Sequence, residues 1–254
     1  MKLDISLAPN ILFNLGSLPV TNTLFWSFIL SVALIVVTLY MRYSLKRIPG
    51  RWQSILEILV EEGLNFVESI IGSRKKAKKV FPLVFTMFIF IVFANLLTFI
   101  PGQSALSIHT QSGDVAPFRA IMSDYGMVFV LTMISIITAQ VVAIITHGPF
   151  GYLSKFINLK SPLAFVLGLM DLIGEVAKIL SLSFRLFGNI FAGEVLGSVM
   201  LFLAPFFIPL PFALLGLITA IIQAFVFSLL TLIFISMASE MEKKEEQSQR
   251  ECMV

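Results

Sequence analysis

Three stretches, residues 24–41, 80–100 and 127–145, each run for 18 or more positions without a formally charged side chain. A helix needs about 20 apolar residues to cross roughly 30 Å of hydrocarbon, so each stretch is long enough to span a bilayer. Two further apolar blocks, 162–203 and 211–238, are joined by APFFIPLP, whose three prolines favour a turn. Five crossings are expected, the last two as a membrane hairpin. The overall balance agrees: 57% hydrophobic residues, 13% charged residues and a mean hydropathy of +0.95, where soluble domains run to roughly half apolar and a quarter charged. The expected fold is an all-α integral membrane protein forming one membrane domain over residues 1–254. The start MKLDISLAPN lacks a basic n-region followed by a short apolar core, so no cleaved leader is expected.

The basic residues are unevenly placed. Nine lie between Arg42 and Lys79, two between Gly148 and Ser161, and three after Ala238, against Lys2 alone in residues 1–23 and Arg119 alone in residues 101–126. The positive-inside bias then puts the amino terminus (1–23) outside and the tail (239–254) in the cytoplasm. A net charge of +3 concentrated beside apolar spans points to lipid headgroups as the anionic neighbours, and no nucleic-acid partner is expected. Residues 51–72 place Trp52, Ile55, Leu56, Leu59, Phe66, Val67 and Ile70 on one helical face, while Glu57, Glu61, Glu62 and Glu68 prevent a crossing. An interfacial amphipathic helix on the cytoplasmic surface follows, compatible with packing on a partner subunit. The low-complexity tail EMEKKEEQSQRECMV is expected to be mobile. Its Cys252 has no second cysteine to pair with and no Cys/His cluster beside it, and neither a metal nor another cofactor is expected.

The block 162–203 is the anomaly, since 42 residues of helix would measure about 63 Å, near twice the hydrocarbon thickness. Either the helix tilts strongly or it breaks near Gly174 or Gly188. Residues 163–203 contain no proline, which favours an unbroken, tilted helix. Charges sit inside this oil. Taking Asp171 as zero on a helical wheel, Glu175 falls at about +40°, Lys178 at about −20°, Arg185 at about −40° and Asn189 at about 0°, while Glu194 points away at about +140°. A charge at bilayer depth costs about 3 to more than 10 kcal/mol, so such groups normally face a partner or water and carry function. Glu175 and Asp171 precede Lys178 by three and seven positions and can neutralise it. Arg185 has only Ser181, Leu182, Gly188 and Asn189 three and four positions away, so its countercharge is expected from another helix or another chain. Gly193 and Gly197 form a GxxxG pair suited to close helix packing, and His109 and His147 fall in or beside loops.

SLSFRLFGNIFAGEVL (181–196) followed by IIQAFVFSLLTLIFISMASE (221–240) resembles the a subunit of bacterial F-type ATP synthases. The resemblance extends in hydropathy over essentially the whole chain. It implies a long tilted hairpin wrapped around a ring of c subunits, each bearing a membrane carboxylate, with two offset aqueous half-channels ending at that ring. Arg185 matches the family's essential arginine. Asn189, Glu194 and Gln223 match positions around the arginine or along the outer half-channel, and Asp171 and Glu175 would stand near the inner one, relaying protons or keeping its entrance hydrated. Further partners implied are the b subunits of the peripheral stalk and the rest of the F1Fo complex, in a bacterial inner membrane or an organellar energy-coupling membrane. ATP chemistry would reside on those partner chains, and no GxxxxGK[ST], HExxH or GxSxG motif occurs here. The pattern departs at two places: a histidine found in some members seven residues before the glutamine is here Gly216, and an acidic residue near the end of the second span is here Thr98. The outer route is therefore expected to use Glu194, Asn95, Gln140 and water. A secondary transporter or channel with a charged substrate site is the alternative, opposed by the absence of internal repeats and of short broken helices.

Overall fold

The computed structural model describes residues 11–15, 18–46, 48–99, 108–110, 113–115, 120–156, 162–203 and 209–251. Six helices dominate: α1 (Asn22–Ser44), α2 (Arg51–Ile71), α3 (Arg74–Leu97), α4 (Tyr125–Phe156), α5 (Pro162–Leu203) and α6 (Pro209–Glu251). All but α2 contain a stretch long and apolar enough to cross a membrane. The all-α membrane class and the number of spans agree with expectation. Residues 1–10, Pro205 and Cys252 lie outside the described residues.

Two small antiparallel hairpins, which the hydropathy pattern does not announce, accompany the helices. Strand β1 (Ile11–Leu15) pairs with β2 (Leu18–Thr21) just ahead of α1, and β3 (Ile108–Thr110) pairs with β4 (Gly113–Val115) between α3 and α4. Thr21 then caps α1, accepting the Leu24 N–H at 3.3 Å, which satisfies one of the unbonded donors at the start of a helix. Thr23 donates to the Asp124 carboxylate at 2.6 Å, and the same carboxylate accepts the Gly126 N–H at 2.9 Å. One acid thus ties the first turns of α1 and α4 together.

Helix α2 ends at Gly72, whose φ of 73° is left-handed and suits a residue without a Cβ. The chain folds back at once, so α2 and α3 form a helical hairpin. Val67 and Ile71 are buried against Ala77, Val84 and Leu232, and Ser236 of α6 donates to the Ile70 carbonyl at 3.3 Å. Part of the apolar face assigned to the membrane surface is therefore covered by protein, while Trp52, Ile55 and Leu59 stay exposed.

Helix α4 continues past its apolar stretch and kinks at Gly148, at φ 74°. α5 runs unbroken through Gly174 and Gly188, the form that the absence of proline favours. α6 continues as a helix through the charged segment to Glu251, beyond the span expected to end at 238. At the centre, Leu182, Leu186 and Ile190 of α5 meet Ile91 and Ala94 of α3 and Ala220, Ala224 and Phe227 of α6. The alanines let backbones approach closely, the usual basis of helix packing where lipid and side chains are equally apolar. α6 is the hub, packed against α3, α4 and α5. In the apolar window of α5 only 11% of residues are buried, against 44% in α6, so α5 is a wall with one face inward and a broad face outward.

Candidate functional site

Arg185 projects from the outward side of α5. Its neighbours Leu182, Ser183 and Leu186 are buried while Ser181, Phe184 and Arg185 itself are exposed, as a 100° step per residue dictates. Nη2 donates to Ser181 Oγ at 3.4 Å. Among the described residues no carboxylate pairs with this guanidinium. It lines an open pocket of about 270 Å³ with Lys178 and Ser181 of α5 and Leu230 and Phe234 of α6.

Toward the start of α5 the charges are paired. Lys178 Nζ donates to Glu175 Oε1 at 2.8 Å, and Gln140 Nε2 of α4 donates to Glu175 Oε2 at 2.8 Å. The ammonium also lies 5.4 Å from the centroid of the Phe234 side chain, within cation–π range. Asp171 is exposed one turn before Glu175. Gln140 therefore stands with Glu175 and Lys178, on the opposite flank of Arg185 from Glu194. The sequence leaves its partner open, because the other 18 residues of its span are uncharged, and the packing of α4 on α5 is what brings it to Glu175.

Toward the end of α5 the polar groups are amides and hydroxyls. Asn189 Nδ2 donates to the Thr219 carbonyl at 3.5 Å, and buried Asn95 Nδ2 of α3 donates to the next carbonyl, Ala220, at 3.1 Å. Two consecutive α6 carbonyls, already used within the helix, thus bind α5 on one side and α3 on the other. Gln223 is buried one turn further along. Asn95 Oδ1, Thr98 Oγ1 and Gln223 Nε2 are buried without a hydrogen-bond partner, capacity that water normally fills in polar interiors. Glu194 is half-buried, and no hydrogen bond or ion pair of its carboxylate involves a described residue. The Gly216 position is occupied from outside: a Cβ there would lie 3.2 Å from Phe99 Cζ. Phe99 is a residue that sequence reasoning missed, because nothing in a run of apolar side chains marks the one that caps a glycine on another helix.

A long helix carrying an uncompensated guanidinium, with paired charges on one flank and hydratable amides on the other, defines a helical membrane protein that handles charge within the bilayer. The comparisons give that class its place. The chain belongs to the ATP synthase A chain family, whose model matches residues 24–236. Its relatives include proteins named ATP synthase subunit a: that of Moorella thermoacetica is 33% identical over 225 residues, covering 89% of this chain and 94% of the relative. That of Geobacter sulfurreducens is 32% identical over 210 residues, 83% of this chain and 84% of the relative. That of Desulfotalea psychrophila is 33% identical over 219 residues, 85% and 83% respectively.

Proposed function

We propose that this chain is the proton-translocating stator subunit of the Fo sector of an ATP synthase, and that Arg185 faces a ring of c subunits carrying membrane carboxylates. The observation that carries this reading is the isolation of Arg185: an exposed guanidinium on a bilayer-length helix, with a hydroxyl as its hydrogen-bond partner and no carboxylate among the described residues. An arginine guanidinium keeps its proton at any physiological pH. It attracts a ring carboxylate, holds it ionised, and blocks a direct leak between two offset half-channels.

The ring advances when each carboxylate gives its proton to one half-channel and takes another from the other. The inner route starts near Asp171, Glu175 and Lys178. The outer route passes Glu194, Asn189, Gln223 and Asn95, where spare hydrogen-bonding capacity suits a file of water. Each proton moving down the potential releases about 2.3 kcal/mol per 100 mV, so several drive one ATP. Nucleotide chemistry lies on partner chains of the F1Fo complex, with the b subunits bracing this one. The setting is a bacterial inner membrane with the amino terminus outside and the tail in the cytoplasm, as the lysine and arginine distribution directs.

Arg185→Ala in the assembled complex, reconstituted into vesicles, should abolish proton-driven ATP synthesis while subunit composition is kept. Retained coupled synthesis would refute the reading.

A further inference from the structure

We infer that Glu175 serves as the fixed counter-ion of Lys178, so that the α5 pocket presents a passing carboxylate with one free cation, Arg185, instead of two. The inference rests on the proposed function. Lys178 and Arg185 are seven residues apart, which places them on one helical face about 10 Å apart along the axis, and both line the same open pocket. Left to itself, an ammonium there would be a second trap on the path of any acidic side chain approaching Arg185.

The geometry removes that trap. Glu175 Oε1 holds Lys178 Nζ at 2.8 Å while Gln140 Nε2 holds the other oxygen at 2.8 Å, and Phe234 flanks the ammonium at 5.4 Å. The carboxylate is steered from a different helix, so its direction does not depend on α5 alone. The Glu175 side chain is 19% exposed and that of Lys178 33%, so bulk solvent screens the pair less than it screens a surface pair. Glu175, three residues before Lys178, is the carboxylate that closes an ion pair with it, at 2.8 Å. A carboxylate with both oxygens engaged is also badly placed as a relay, because a travelling proton would have to displace one of its donors. Glu175 is thus a positioning residue: it acts on the ring carboxylate through the lysine it neutralises.

Neutralising the two partners in turn separates this role from proton relay. In the whole complex in vesicles, Glu175→Gln should slow ATP-driven proton pumping by about tenfold, because a partly buried cation is left unpaired. Adding Lys178→Gln to the same chain should restore most of the lost rate, since the trap is then gone. A relay role predicts the opposite, with the double variant at least as slow as the single one. Recovery in the double variant supports the inference; a wild-type rate in Glu175→Gln, or no recovery, overturns it. Should Glu175→Gln fail to assemble, Gln140→Leu, which frees one carboxylate oxygen, should slow pumping by about threefold and be corrected by Lys178→Gln in the same way, and absence of that correction overturns the inference. If Arg185→Ala retains coupled synthesis, the functional reading itself fails; if Arg185→Ala is inactive and the double variant stays slow, only the counter-ion role does.

Discussion

The two flanks of Arg185 differ in kind. On the side of Lys178 the ammonium is held by Glu175 and the same carboxylate by an amide donor, and a separate helix, α4, fixes the arrangement through Gln140. On the side of Glu194 there is no ion pair among the described residues, only amides spread over α3, α5 and α6 and three buried polar atoms left open. Charges are expensive in oil and are cancelled where they must stay still. Open amides are cheaper and are useful where a proton must be handed along by water. One helix therefore carries a compensated end and a hydratable end, and the lone guanidinium marks the boundary.

Substitutions can break the contrast. Glu194→Leu removes the carboxylate that α5 carries on the hydratable flank and should slow proton entry by about tenfold or more, measured as pumping in vesicles; an unaltered rate would take Glu194 off the route. Gly216→His tests whether that flank can accept a side chain in place of water. With Phe99 already 3.2 Å from a Cβ at this site, overpacking should destabilise the chain by about 1–3 kcal/mol, seen as a lower melting temperature in detergent. Adding Phe99→Ala should return most of the loss, and a histidine tolerated without that relief would show the glycine to be spacious. The smallest effect is expected outside the site. Arg74 pairs with Glu68 at 2.6 Å, but both side chains are more than a third exposed, so Arg74→Met should cost less than about 1 kcal/mol, checked by the same melting measurement.

Much of this architecture is legible in the sequence, for reasons that can be named. Spans announce themselves because hydrocarbon tolerates so few residue types. α5 is legible as one unbroken helix because no residue between 163 and 203 removes a backbone donor, and Arg185 stands out because a cation is rare in such surroundings. What stayed hidden depends on how helices meet. Gln140 could have faced either flank, since its helix is apolar all round. The folding of α2 onto α3 turns on the φ of 73° at Gly72, a property of three-dimensional closure more than of the amphipathic pattern. The hairpins β1–β2 and β3–β4 are too short to leave a clear alternation, and α6 extends through a charged tail whose composition alone reads as solvated.

Phe99 resting on Gly216 also limits how this lineage can change. An imidazole at 216 is accommodated more readily once the aromatic at 99 has shrunk or moved by a few tenths of an ångström, so the order of substitutions matters and the reverse order passes through a more crowded intermediate. Positions 99 and 216 should accordingly vary together among descendants, bulky opposite small, even though they lie 117 positions apart along the chain.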